Sequence, residues 1–300
     1  MIRVIPLAAF ALACTEYDIG QPEVPEVVTE PVTLPTEPAP EPEPDEPPPD
    51  PPPATTPPPP VTDGETPIAV CYVDPSEVSP PFEVATFYGS DSYDPDGTIV
   101  TYSWTIIAQP PGSAIALPPG NAPDRGPFAP DLAGTYTARL VVTDDMGNVS
   151  APCDASLEAL PSQDLWVELY WSHNNDDMDL HVVREGGALW NNTDDCHWQN
   201  CKNGVAWGVS GKTDDPELDL DDLTGKGPEN INLAKPAESE YTVVVHDYGG
   251  ANVWNGDNDV TVNIYISGSL EYSETKVISG DDDEVPFAKI DWDALTVIPL

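Results

Sequence analysis

Hydrophobic positions recur every second residue through much of the chain. Val100, Tyr102, Trp104 and Ile106 alternate with Thr101, Ser103 and Thr105, and Tyr136, Ala138, Leu140 and Val142 alternate with Thr137, Arg139 and Val141. Successive strand side chains point to opposite faces, so a period of two predicts strands with one face in a core. Asp94-Pro95-Asp96-Gly97 and Asp145-Met146-Gly147-Asn148 supply turns around them. The same period runs through Leu165, Val167, Leu169 and Trp171, through Tyr241, Val243 and Val245, and through Val260, Val262, Ile264 and Ile266. The last run predicts a strand with one buried and one wet face. No stretch carries a helical period. The pattern predicts an all-β chain of two antiparallel β-sandwiches, one over 68–160 and a jelly-roll-like one over 162–300.

The remainder reads differently. About half of the 38 prolines fall between Gln21 and Pro67, mixed with Glu, Val and Thr. Such composition cannot bury a core, so 15–67 is expected to be a disordered stalk. As extended polyproline it reaches on the order of 100 Å. Before it, Arg3 and the apolar stretch Val4–Leu12 are too short for a membrane span, which takes about 20 residues, and read as a secretory signal. Ala11-Leu12-Ala13-Cys14 resembles a bacterial lipobox, although Ala11 stands where leucine is commoner. The expectation is a 1–14 signal, a lipid on Cys14 and a place in the bacterial cell envelope, at the outer membrane.

Cysteine use agrees with export. With Cys14 lipidated, four of the five cysteines remain: Cys71 and Cys153 bracket the first sandwich, and Cys196 and Cys201 lie close together in the second. Two disulfides are expected, the first closing a loop long enough to contribute about 4 kcal/mol. Cys196, His197 and Cys201 alone are too few for zinc. The net charge of −43, with ten Lys and Arg, excludes nucleic-acid binding and adsorption to anionic headgroups. Divalent cations and basic partners stay compatible with it.

Ser90-Asp91-Ser92-Tyr93-Asp94-Pro95-Asp96-Gly97, Tyr102-Ser103-Trp104, Gly134-Thr135-Tyr136 and Val141-Val142-Thr143-Asp144 together resemble a polycystic kidney disease (PKD) domain. The resemblance implies an immunoglobulin-like spacer or adhesive module with no active site of its own. Asp91, Asp94 and Asp96 could hold Ca²⁺ but are read first as Asx-turn residues before Gly97, and the segment from Gln109 to Pro130 as an irregular edge. In the second sandwich, Asp179-Leu180-His181-Val182, Trp207-Gly208-Val209, Asp219-Leu220-Asp221, Gly227-Pro228-Glu229-Asn230-Ile231 and Tyr241-Thr242-Val243 resemble an uncharacterised domain of bacterial envelope proteins. That implies a β fold and an extracytoplasmic place only.

Acidic residues of the second sandwich are grouped. Asn174-Asn175-Asp176-Asp177-Met178-Asp179, Asp219-Leu220-Asp221-Asp222 and the set Asn255, Asp257 and Asp259 flank predicted strands. Ca²⁺ takes six to eight oxygens, and Asp177, Asp179, Asp221, Asp222 and Glu229 are the candidate ligands. The spacing is not that of an EF-hand. Trp190, Trp198, Trp207 and Trp254 sit in loop-like sequence and are candidates for stacking on a ligand. Among His173, His181, His197 and His246 there is no H-E-x-x-H pair, and no nucleophile elbow or phosphate loop occurs. His181 and His246 are read as satisfied strand residues. The expected function is therefore non-catalytic: a tethered, Ca²⁺-stabilised adhesive or recognition module for a carbohydrate or envelope polymer. The alternatives are a structural or protein–protein scaffold of the envelope, and a glycan-degrading enzyme accessory or hydrolase.

Overall fold

The first sandwich contains β1 (Tyr72–Asp74), β2 (Glu77–Val78), β3 (Ala85–Tyr88), β4 (Ile99–Ala108), β5 (Arg125–Phe128), β6 (Gly134–Asp144) and β7 (Cys153–Ala159). They form a three-stranded sheet, β1-β3-β5, facing a four-stranded one, β2-β7-β6-β4. Pairing is antiparallel except between β2 and β7, which run parallel. Alternation along β6 buries Tyr136, Ala138, Leu140 and Val142, the first two in one cluster with Phe87 and Phe128. The Cys71–Cys153 disulfide, with a Cα separation of 5.8 Å, ties the chain before β1 to the start of β7.

This computed structural model describes residues 64–202, 205–208, 213–250, 253–280 and 282–300. The expected signal, Cys14 and nearly all of the stalk lie outside the described residues. Among the described residues there is no helix, and hence none long and apolar enough to cross a membrane.

Trp104 departs from the buried position its pattern predicts. It is half-buried because β4 is an edge strand. The irregular segment after Gln109 covers that edge. Trp104 Nε1 donates to Pro123 O at 2.8 Å, Tyr102 N donates to Asn121 Oδ1 at 2.7 Å, and Asn121 Nδ2 donates to Val100 O at 3.0 Å. An uncovered row of strand donors and acceptors invites pairing with other chains, and Asn121 closes it.

The second sandwich adds β8 (Leu165–Trp171), β9 (Met178–Arg184), β10 (Asp195–Cys196), β11 (Glu217–Leu220), β12 (Glu229–Leu233), β13 (Glu240–Asp247), β14 (Asn258–Ile266), β15 (Ser269–Ile278), β16 (Glu284–Asp291) and β17 (Thr296–Pro299). Two five-stranded antiparallel sheets result, β10-β9-β13-β16-β17 and β11-β12-β8-β14-β15. Leu165, Val167, Leu169 and Trp171 of one meet Leu180, Val182, Val243 and Val245 of the other in a single core. The Cys196–Cys201 disulfide closes a short loop beside β9.

The expected wet face of β14 is largely covered. Thr261 and Tyr265 are buried, and on the neighbouring β8 so are Trp166 and Glu168, because the first sandwich packs on this face. The Tyr136 hydroxyl accepts from Leu132 N at 3.1 Å and donates to Asp131 Oδ1 at 2.8 Å, which holds the turn before β6. That turn presents Ala133 N, which donates to Glu168 Oε1 at 2.7 Å; Trp166 Nε1 donates to the same oxygen at 3.0 Å. Nearby, Gly112 lies at φ +89° directly on the Tyr170 ring, where a Cβ would collide. Only glycine allows that approach.

Glu168 is a fully buried acidic group in this junction. Burial pushes its carboxyl up to about 7, and the Ala133 and Trp166 donors only partly oppose this. A carboxyl raised on folding contributes stability that is complete below its ordinary range near 4.5 and lost as pH rises through about 7, at about 1.4 kcal/mol per unit. Between pH 4.5 and 8, the melting temperature of the wild type is expected to fall by on the order of 5–10 °C relative to that of Glu168→Gln. Parallel melting curves for the two proteins would show that the junction does not bury this charge.

Candidate cation site at one end of the second sandwich

Antiparallel order brings four loops to one end. Met178 at the start of β9 pairs with Asp247 at the end of β13, and Asn258 at the start of β14 pairs with Ile278 at the end of β15. The loops after β8, β11 and β13 are then joined by backbone bonds. Asn175 N donates to Thr224 O at 3.0 Å, Trp254 N to Asn175 O at 2.6 Å, and Tyr248 N to Asp177 O at 2.9 Å. Asn175 adopts φ 63°, a region asparagine tolerates better than most residues. Asn258 fastens the first loop: its Oδ1 accepts from Ser172 N and His173 N, both at 3.0 Å, and its Nδ2 donates to Asp176 Oδ2 at 2.6 Å.

Three carboxylates meet inside this end. Asp179, Asp221 and Glu229 each offer an oxygen within 4.8 Å of the other two. Glu229 lies in line with Ile231 and Leu233, which face the core, and is fully buried. Its Oε2 accepts from Leu180 N at 2.7 Å, whereas its Oε1 has no partner. Asp177 is buried beside them, and its Oδ1 is also unpartnered, as is Oδ1 of Asp221. Lys202 pairs with the other Asp221 oxygen from the solvent side. Burial, followed by the charge of Asp179, raises Glu229 well above the usual carboxylate range. Burial and then the charges of Asp179 and Asp221 push Asp177 up to about 7. Unpartnered oxygens at such close range are hard donors suited to Ca²⁺, and a dication would offset both the desolvation and the repulsion.

Asp222 is not brought into the cluster. Its Oδ1 accepts from Thr224 N and Gly225 N, at 3.2 and 2.9 Å, and its Oδ2 accepts from Gly227 N at 2.9 Å. It therefore shapes the loop that carries Asp221. Gly227, at φ +80°, lets that loop pass against Leu169 O and the Trp171 ring. Asp257 and Asp259 are not part of the group either; Asn258, between them, acts instead by holding the loop after β8.

Behind the cluster is an imidazole layer. His246 Nδ1 donates to Asp179 Oδ2 at 3.0 Å, and His181 Nδ1 donates to Asp195 Oδ2 at 2.8 Å. Trp190 lies across the rings of His181, His246 and His197, at centroid distances of 4.5, 4.8 and 5.2 Å, and its backbone N donates to Asp195 Oδ2 at 2.7 Å. His181 and His246 thus hold acidic partners, as strand residues were expected to, although Nε2 of His181 has none.

The tryptophans divide by place. Trp207 is buried and stacked on Tyr241, with ring centroids 6.0 Å apart, so it is a core residue and not an exposed platform. Trp254 stacks on His173 at 3.7 Å, and Trp190 is committed to the histidines. Only Trp198 reaches the cluster. With Leu223, Tyr248, Asp177 and Asp179 it lines a cavity of about 220 Å³. Leu223 and Tyr248 went unnoticed in the sequence because a single apolar or aromatic residue in a polar loop carries no periodicity.

No protein-family model and no curated protein matches the chain. Among solved structures, one described under the carbohydrate-binding modules of the β-sandwich superfamily is similar, at 14% identity and a TM-score of 0.29, covering 79% of this chain and 99% of that one. A superposition that loose carries no argument about ligand or site.

Glu229→Gln removes the most deeply buried carboxylate of the cluster while keeping an acceptor for Leu180 N. In EDTA at pH 8 the variant is expected to melt several degrees above the wild type, since about 1–3 kcal/mol of uncompensated burial is relieved. An unchanged or lower melting point would mean that the carboxylates do not strain the metal-free fold.

Proposed function

We propose that the chain is a non-catalytic recognition module whose outer sandwich is completed by a divalent cation, Ca²⁺ by the nature of its donors. Asp177, Asp179, Asp221 and Glu229 hold the ion, Asp222 sets the loop, and the partner is a carbohydrate or envelope polymer met at the same end. The observation that carries this reading is Glu229: a fully buried carboxylate with a free oxygen, aimed at two further carboxylates. Replacing an ion by nothing at such a place leaves charges that neither water nor protein solvates.

The rest of the chain fits display. A lipid on Cys14 anchors the protein at the outer membrane of a bacterial cell, the proline-rich stalk lifts it, and the first sandwich serves as a PKD-like spacer. The short junction through Ala133 and Glu168 supports a spacer that fixes the direction in which the outer sandwich points. The two disulfides suit an exported protein.

A ligand that binds only the folded state stabilises it by about 2.7 kcal/mol at a hundred times its Kd. The full chain is therefore expected to melt some 5–10 °C higher with saturating Ca²⁺ than with EDTA. The Asp177→Ala/Asp179→Ala double variant should show no such rise. Equal melting points with and without Ca²⁺ in the wild type would remove the cation from the account.

A further inference from the structure

Resting on the cation reading above, we infer that the ligand is a single neutral sugar ring, which completes the cation's coordination with hydroxyl oxygens and lays its apolar face on Tyr248 and Trp198. The placement of the cavity makes the case. Of the four carboxylates, Asp177 and Asp179 line the cavity while Asp221 and Glu229 do not. An ion held among the four thus has its protein ligands on the inner side and an open side toward Trp198, Leu223 and Tyr248. Asp177 Oδ1, unpartnered, marks the border between the two.

Three properties of the occupant follow. It must supply oxygen donors, since the open side of a hard cation takes oxygen. Those donors must be neutral: four carboxylates, with Asp176 and Asp222 beside them, face one dication, one exposed lysine and the His246 imidazole, so the loaded site keeps a negative excess on a chain of net charge −43. A carboxylate or sulfate on the ligand would meet repulsion at long range as well as at contact. Finally, it must offer an apolar surface on its other side, because the remaining walls are a tryptophan, a tyrosine and a leucine. A pyranose, with hydroxyls on its edge and C–H bonds on its face, meets all three conditions. The size agrees: about 220 Å³ lies below the 300 Å³ or so at which pockets for larger ligands begin. One ring enters, and a polymer is gripped at its end or at a branch.

The walls are positioned for this by the same bonds that build the site. Tyr248 N donates to Asp177 O, which places the tyrosine at the mouth, and Leu223 sits on the loop that Asp222 shapes. Trp198 follows Cys196, whose disulfide to Cys201 closes the loop that carries it. Tyr248 and Leu223 are exposed and bonded to no core residue through their side chains, so they are free to serve a ligand.

The test is affinity electrophoresis of the full chain through gels containing neutral polysaccharides (a glucan, a mannan, a galactan and a xylan) or a polyuronate, with Ca²⁺ or with EDTA. The expected result is retardation by at least one neutral polymer in Ca²⁺, loss of that retardation in EDTA, and none by the polyuronate. Tyr248→Ala should weaken the retardation at least tenfold while keeping the full Ca²⁺-dependent rise in melting temperature. That melt separates the two readings. If the melt responds to Ca²⁺ but no neutral polymer retards the protein, or the polyuronate retards it more, the sugar assignment is wrong and the cation site stands. Retardation that survives EDTA, or that Tyr248→Ala leaves unchanged, would place the binding surface elsewhere. Absence of any melt response would overturn both.

Discussion

Glu229 imposes the strictest condition on the second sandwich. A carboxylate on the core side of a strand can persist only if its charge is removed or matched, because an unmatched buried ion costs several kcal/mol. One oxygen finds the amide of Leu180, on the facing sheet, and so bridges the two layers. The other meets Asp179 and Asp221, which multiply the difficulty unless a cation is present. The loops around this point are correspondingly well fastened. Asn258, Asp222 and the backbone bonds of Asn175, Tyr248 and Trp254 hold three loops in register without using the oxygens that converge. The carboxylates are thus gathered before any ion arrives, so a cation bound there would not have to supply the entropy of bringing them together.

The same economy of charge appears at the junction between the sandwiches. There the buried carboxylate, Glu168, receives two N–H donors and meets no neighbouring acid, so protonation can relieve it. Glu229 has acidic neighbours and one donor. Two buried glutamates in one sandwich thus pose different problems: a proton relieves Glu168, whereas Glu229, with acids beside it, has a place suited to a dication. The first sandwich contributes to both in an unequal way: it covers Glu168 directly through Ala133, and it reaches the Asp221 loop only through side chains lining a crevice with Pro81 and Pro130.

The strand pattern of the sequence was sufficient for the fold class and for much of the core, because period two survives in a single sequence, but not on the edge strand β4, where Val100 is exposed and Trp104 half-buried. Leu165, Val167, Leu169 and Trp171 fall in the core as their spacing predicts. What alternation cannot report is whether the polar face meets water or another domain, and so Thr261 and Tyr265 were assigned to solvent. At the site, the grouping of acids in loops pointed to Asp177, Asp179, Asp221 and Glu229. Asp222 differs from Asp221 only in which way its side chain turns, and a sequence does not contain that. Trp207 was misplaced for a related reason: its loop-like neighbours, Gly208 among them, gave no hint that the ring packs on Tyr241. Tyr248 and Leu223 acquire meaning only once the loops are folded together.

The most direct measurement of the central claim is terbium luminescence. Tb³⁺ takes oxygen ligands as Ca²⁺ does, and its emission is sensitised by an aromatic ring close to the ion. With Trp198 and Tyr248 at the mouth of the site, the account predicts sensitised emission that saturates at one ion per chain, is displaced by Ca²⁺, and is lost in Glu229→Gln. Emission that is absent, or that persists undiminished in Glu229→Gln, would contradict it.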